Sequence, residues 1–188
     1  MREFRASLAR LQKLFTAPAA YFTNPEVTIW DGVLVVVVLF LVTFWQKLVW
    51  VDAGSVSMGF WKALEEAAVN SLMIWCLFCG FFFALSGFLG TRINLARLAG
   101  LVGAAGLPLV FTTLLSALCW TIARIFAINT GVDAWGLSQT IISWLGVIMS
   151  WPGVMGYYLM QNGLKIKRPV AILLIGLILV FLVVGRFL

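Results

Sequence analysis

The chain contains no histidine, and only three cysteines among its 188 residues. A zinc site of ordinary composition draws on imidazoles and clustered thiolates. Cys119 stands far from Cys76 and Cys79 in the sequence, so no metal centre is expected. A serine nucleophile needs a base to take its proton. Without histidine that base would have to be a lysine or a carboxylate, and no lysine lies at the centre of an apolar run. Glu65 and Glu66 are adjacent carboxylates, which diverge on a helix. There is no H-E-x-x-H and no phosphate-cradling glycine loop followed by lysine. Neither catalysis nor a bound cofactor is expected.

Charge is also scarce. Charged residues make up 11% of the chain, against about 25% in soluble domains. No polar stretch is long enough to form an attached soluble module. What is present is apolar: 63% of the residues are hydrophobic and the mean hydropathy is +1.06. One aqueous core cannot hide that much apolar surface, so lipid must be the solvent for most of it. The net charge of +6 does not point to nucleic acid. The cations lie in short connections between apolar runs, the distribution expected of membrane orientation.

Together these features predict an all-α integral membrane protein with a bundle of about five transmembrane helices. Residues 2–15 form a basic amphipathic stretch. Phe4, Leu8, Leu11, Leu14 and Phe15 recur at helical spacing, with Arg2, Arg5, Arg10 and Lys13 opposite. Such a helix suits the membrane interface. Pro18, Asn24 and Pro25 end it, so residues 1–28 are expected to be a cytoplasmic segment and 29–188 the bundle. The spans are expected at about 29–50, 69–89, 98–120, 141–160 and 169–188, each near the ~20 residues that cross a hydrocarbon core. A second interfacial helix is expected over 57–68, with Phe60, Trp61, Leu64 and Ala68 facing one way and Lys62, Glu65 and Glu66 the other.

Cation counting orients the bundle. With the N-terminus in the cytoplasm, that side holds nine cations: Arg2, Arg5, Arg10, Lys13, Arg92, Arg97, Lys165, Lys167 and Arg168. The other holds four, Lys47, Lys62, Arg124 and Arg186. An odd number of spans then puts the C-terminus outside. Trp30, Trp45, Trp50, Trp61, Trp120 and Trp135 fall near the expected boundaries as interfacial anchors. Trp75, Trp144 and Trp151 fall deeper, where they are expected to pack between helices.

Cys76-x-x-Cys79 lies within the second span. No strand precedes it and no cation lowers a thiol pKa, so the pair is read as two small apolar side chains. Asp31, Lys47 and Arg124 stand near span ends, where snorkelling or local pairing accounts for them. The glycine and proline elements carry more information. Ala96, Gly100 and Ala104 are spaced by four, with Gly103 and Gly106 on a neighbouring face and Pro108 following. Gly146, Pro152, Gly153 and Gly156 repeat that character in the fourth span. Small residues let helix backbones approach closely, and proline removes a helical hydrogen bond. Gly100, Gly103, Ala104, Gly106, Pro108, Pro152, Gly153 and Gly156 are therefore candidates for a helix-packing or partner face.

In order along the chain, these elements resemble the Yip1 domain family. Pro18-Ala19-Ala20-Tyr21-Phe22 is similar to the family's N-terminal proline-then-phenylalanine element. GTRINLARLAGLVGAAGLPLVF (90–111) resembles its basic-polar connection followed by a small-residue helix ending in proline. ISWLGVIMSWPGVMGYYLMQNGLKIKRPVAILL (142–174) resembles its tryptophan-rich fourth span, basic turn and last span. The resemblance covers nearly the whole chain and implies five spans, a cytoplasmic N-terminus and a short far-side C-terminus. The long hydrophilic N-terminal region of eukaryotic members is missing, and Ile29-Trp30-Asp31-Gly32 matches their D-L-W-G-P element only loosely. Binding of a Rab-type GTPase is accordingly not implied. A compact prokaryotic member in the inner membrane fits better, with the ER or Golgi membrane as the alternative.

Three functions compete. The first is a non-enzymatic adaptor, scaffold or membrane-organising factor, whose partners would be membrane lipids and other membrane proteins or further copies of itself. The second is a small-solute permease or a subunit of one, with the Pro/Gly-interrupted spans lining a cavity. The third is lipid binding or handling, with Arg92, Arg97, Lys165, Lys167 and Arg168 forming a head-group rim.

Overall fold

Lipid cannot satisfy a bare backbone, so apolar runs of this length must close their hydrogen bonds internally as helices. The computed structural model describes residues 2–49, 59–91, 93–130 and 151–184, and throughout these the regular structure is helical. In chain order the helices are α1 (Arg2–Thr16), α2 (Pro18–Thr23), α3 (Ile29–Val49), α4 (Phe60–Ala68), α5 (Ile74–Phe88), α6 (Leu95–Ala105), α7 (Leu107–Thr130), α8 (Trp151–Tyr158) and α9 (Arg168–Val184). π-helical turns at Val69–Met73 and Leu159–Gly163 join α4 to α5 and extend α8.

Among the described residues three stretches are long and apolar enough to cross a membrane: Ile29–Val49, Phe60–Phe88 and Leu95–Ile122. The first matches the expected span. The second absorbs the expected interfacial helix, because α4 continues through the π-turn into α5 as one 29-residue rod. Its inward residues form a seam about one side chain wide: Ala63, Ala67, Ser71, Trp75, Cys79, Phe82 and Ser86. In an α-helix of 3.6 residues per turn, a row spaced by four drifts about 40° per step. The wider π-turn takes up that drift and keeps Ser71 and Trp75 in line with Ala63 and Ala67. The row expected to share one face, Phe60, Trp61, Leu64 and Ala68, is not the row that packs on the bundle. Ala63 and Ala67 are buried, while Trp61 is 77% exposed.

The third span begins at Leu95 and breaks at Gly106. Asn94 caps α6 by accepting from the Ala96 N–H at 2.8 Å, which satisfies one of the first-turn donors. Pro108 sits in the first turn of α7, where its missing N–H costs nothing. The proline therefore starts a new helix and does not bend a continuous one. Trp120, expected at the interface, is buried.

The remaining two expected spans are described only in part, over residues 151–163 and 168–184; Trp50, Arg92, Trp135, Trp144 and Gly146 lie outside the described residues.

Relative direction follows from contacts. Gly103 meets Gly32, Gly100 meets the Thr28 carbonyl, and Gln46 donates to Ser116 Oγ at 2.9 Å. Thus α3 and α6–α7 run the same way. Lys47 pairs with Glu66, and the Trp75 indole N–H donates to the Ala99 carbonyl at 3.1 Å. Since Ala99 lies beside Gly32, α4–α5 runs opposite to α3. Leu11, Leu14, Tyr21, Phe22, Leu98, Leu101, Leu159 and Met160 share one core. The N-terminal segment is thus packed into the bundle, with no break in packing at residue 28.

Candidate functional site

At one end of the bundle, α1 and α2 fold back over the start of α3. Ser7, Leu11 and Leu14 are buried, and Arg10 stands among them on the same side of α1. Arg10 was grouped with the outward cations by sequence; its guanidinium points inward. Asp31, in the first turn of α3 and fully buried, receives Arg10 Nη2 at 2.7 Å on Oδ1 and Nε at 3.0 Å on Oδ2. Such a two-pronged pair is the strongest ordinary form of charge-assisted bond. Arg10 also donates to Ser7 Oγ at 3.0 Å, and the Tyr21 hydroxyl donates to Asp31 Oδ2 at 3.3 Å.

The ionisation of these groups follows from that geometry. The hydrogen bond to Asp31 raises the Arg10 guanidinium, which stays charged. Burial, and then the Asp31 carboxylate, push the Tyr21 phenol well above its usual range, so it remains a donor.

The small-residue candidates divide into two groups. A Cβ on Gly103 would lie 2.3 Å from Gly32 Cα, and one on Gly100 would lie 2.1 Å from the Thr28 carbonyl oxygen. Gly32 is equally tight, 2.4 Å from the Ala99 carbonyl oxygen. These three glycines therefore make one crossing in which α3 and α6 touch backbone to backbone. Ala104 and Pro108 are buried in the same region, and Gly106 is half-buried at the break. This face is occupied by the chain's own first span. Gly153 and Gly156 differ: nothing lies within 4 Å of a Cβ added there. Pro152's side chain lies outside the described residues. Gly32 is not among the sequence candidates, because the backbone that excludes a Cβ there, at Ala99 and Gly100, belongs to α6.

The basic candidates gather at the same end as α1. The Arg97 Nη2 donates to the Asn24 carbonyl at 3.3 Å, while its Nε is buried with no hydrogen-bond partner among the described residues. Gly163 lies against Leu101 and Phe22. That contact brings the turn at 164–168 next to the start of α6. Leu164 and Ile166 are buried there, while Lys165, Lys167 and Arg168 are exposed. The ion pairs among the described residues are Arg10–Asp31 and Lys47–Glu66, so these four cations have no carboxylate partner there.

The three cysteines are free thiols; Cys76 is exposed and Cys79 half-buried on the seam. Among the described residues no three His, Cys, Asp or Glu side chains gather as metal ligands. Comparison with family models, with curated proteins and with solved structures finds no match.

Proposed function

We propose that this chain is a non-enzymatic integral membrane protein acting as a membrane-organising factor or scaffold. The observation that carries the reading is where its polar chemistry goes. Arg10, Asp31 and Tyr21 bond to one another, Gln46 to Ser116, Lys47 to Glu66, and Trp75 to the Ala99 carbonyl. Each of these contacts joins one helix to another. From Leu72 to Phe88 what faces outward is apolar, Leu72, Met73, Leu77, Phe78, Phe81, Phe83 and Phe88, and on α1 Phe4, Leu8 and Phe15 are exposed beside charged side chains. A protein built this way acts through the surfaces it presents to lipid and to neighbouring chains.

We place it, on the resemblance of its motifs, in the Yip1 domain family as a compact prokaryotic member of the inner membrane, with five spans. Its N-terminus and basic rim would face the cytoplasm and its C-terminus the outside. Gentle extraction from native membranes, followed by mass spectrometry of what co-purifies, tests the function. A recurring partner or oligomer is the expected result; a lone monomer across several gentle detergents would overturn it.

The permease reading draws on one feature, the interruption of the third span at Gly106. Uptake assays in vesicles test it, and no solute flux above that of empty vesicles would remove it.

A further inference from the structure

We propose that the Arg97 guanidinium and the rigid turn at 164–168 form a seat for the phosphate of an anionic phospholipid. The inference needs only that the apolar helices lie in a bilayer, and it stands apart from the scaffold reading.

The turn is built to hold charge in place. Leu164 and Ile166 are buried, and their N–H groups bond back to the carbonyls of Leu159 and Met160, each at 2.9 Å. Between them Lys165 adopts φ 55°, a left-handed conformation that side chains disfavour and glycine adopts freely. A lysine where the backbone favours glycine trades local stability for a cation in a fixed position. Arg97 stands one helical turn before Leu101, and Leu101 is the residue that Gly163 meets. The two cationic elements therefore share one corner, beside the positive end of α6.

Charge complementarity selects the occupant. Arg97, Lys165, Lys167 and Arg168 have no acidic partner among the described residues, and the Asn24 carbonyl that Arg97 Nη2 meets carries no charge to neutralise it. Directly after the turn, α9 presents Val170, Ile172 and Leu173 outward. A phosphate at this corner thus has its acyl chains running along an apolar helix surface. A soluble anion would gain the charges but not that surface.

The test is native mass spectrometry of the full chain extracted from bilayers of equal phosphatidylglycerol and phosphatidylcholine. Retained lipid should be enriched in phosphatidylglycerol, and each cation removed should lower that enrichment about fivefold. Lys165→Gly and Arg97→Gln are the informative variants, with Lys62→Gln at the opposite end as the unchanged control. Lys165→Gly suits the backbone, so its thermal unfolding verifies that loss of lipid is not loss of fold. Equal retention of both lipids, or full enrichment in folded Lys165→Gly and Arg97→Gln, would overturn the proposal. Displacement of the lipid by excess inorganic phosphate would overturn the lipid assignment in favour of a soluble anion. A monomer that still retains phosphatidylglycerol would defeat the scaffold reading and leave this one standing.

Discussion

Arg10 and Asp31, 21 residues apart in sequence, are joined by two hydrogen bonds in a setting where the carboxylate is fully buried and the guanidinium side chain 14% exposed. This pair ties the N-terminal helix to the first span. Removing one partner from such a pair strands the other charge in a poor solvent, whereas removing both can be nearly neutral.

Arg10→Met is expected to cost about 3–5 kcal/mol of stability for that reason. The double variant Arg10→Met/Asp31→Leu should recover most of the loss. Thermal unfolding in a mild detergent measures the cycle. Single losses that simply add in the double variant would show that the two residues do not act as a unit.

Gly103→Ala should cost about 1–3 kcal/mol, the usual range for overpacking. The atom in the way is Gly32 Cα, 2.3 Å from the new methyl, and a backbone cannot rotate aside. Gly80→Ala on α5 is the matched control, since nothing lies within 4 Å of its Cβ. Equal stability of the two variants would contradict the close crossing of α3 and α6.

Lys165→Gly is expected to raise stability by about 1 kcal/mol, by relieving the left-handed backbone. Lys165→Val should lower it, because a β-branched side chain tolerates that conformation least. The order of unfolding temperatures, Gly above Lys above Val, is the observable.

Tyr21 gives a pH dependence. Its phenol is raised above the ordinary value of 10.0, first by burial and then by Asp31. The folded chain therefore holds this proton more tightly than the unfolded chain does. The stabilisation is complete below about pH 10 and falls as the pH rises beyond it, where only the unfolded phenol ionises. Unfolding temperatures from pH 9 to pH 11.5 should decline more steeply for the parent chain than for Tyr21→Phe. Parallel slopes would refute the assignment.

Legibility differed by element. The third span is expected from residue 98, three residues after α6 begins at Leu95, because the polar stretch around Asn94 reads as a connection. The apolar run of α3 was evident from hydropathy. The unity of α4 and α5 was not, because Lys62, Glu65 and Glu66 read as a surface helix. Lys47 supplies the missing context by pairing with Glu66, and that partner lies on another helix. On α1, an inward row of Ser7, Arg10, Leu11 and Leu14 competes with an apolar row of Phe4, Leu8, Leu11 and Phe15. Periodicity alone favours the second row, since it cannot know that Asp31 waits opposite the first. At the basic corner the cations themselves were legible. The left-handed lysine was not, because a strained φ leaves no mark in composition.

Composition and hydropathy by themselves determined that the chain is helical and lives in lipid, since hydrocarbon leaves a spanning backbone no other way to satisfy its polar groups. They also marked the small residues at which helices could meet. Only the tertiary structure decided that Gly100 and Gly103 close on Gly32 of the same chain. Only it decided that one arginine of α1 turns inward to meet a buried aspartate. A helix period records which residues share a face; it holds no information about which distant face comes to rest against it.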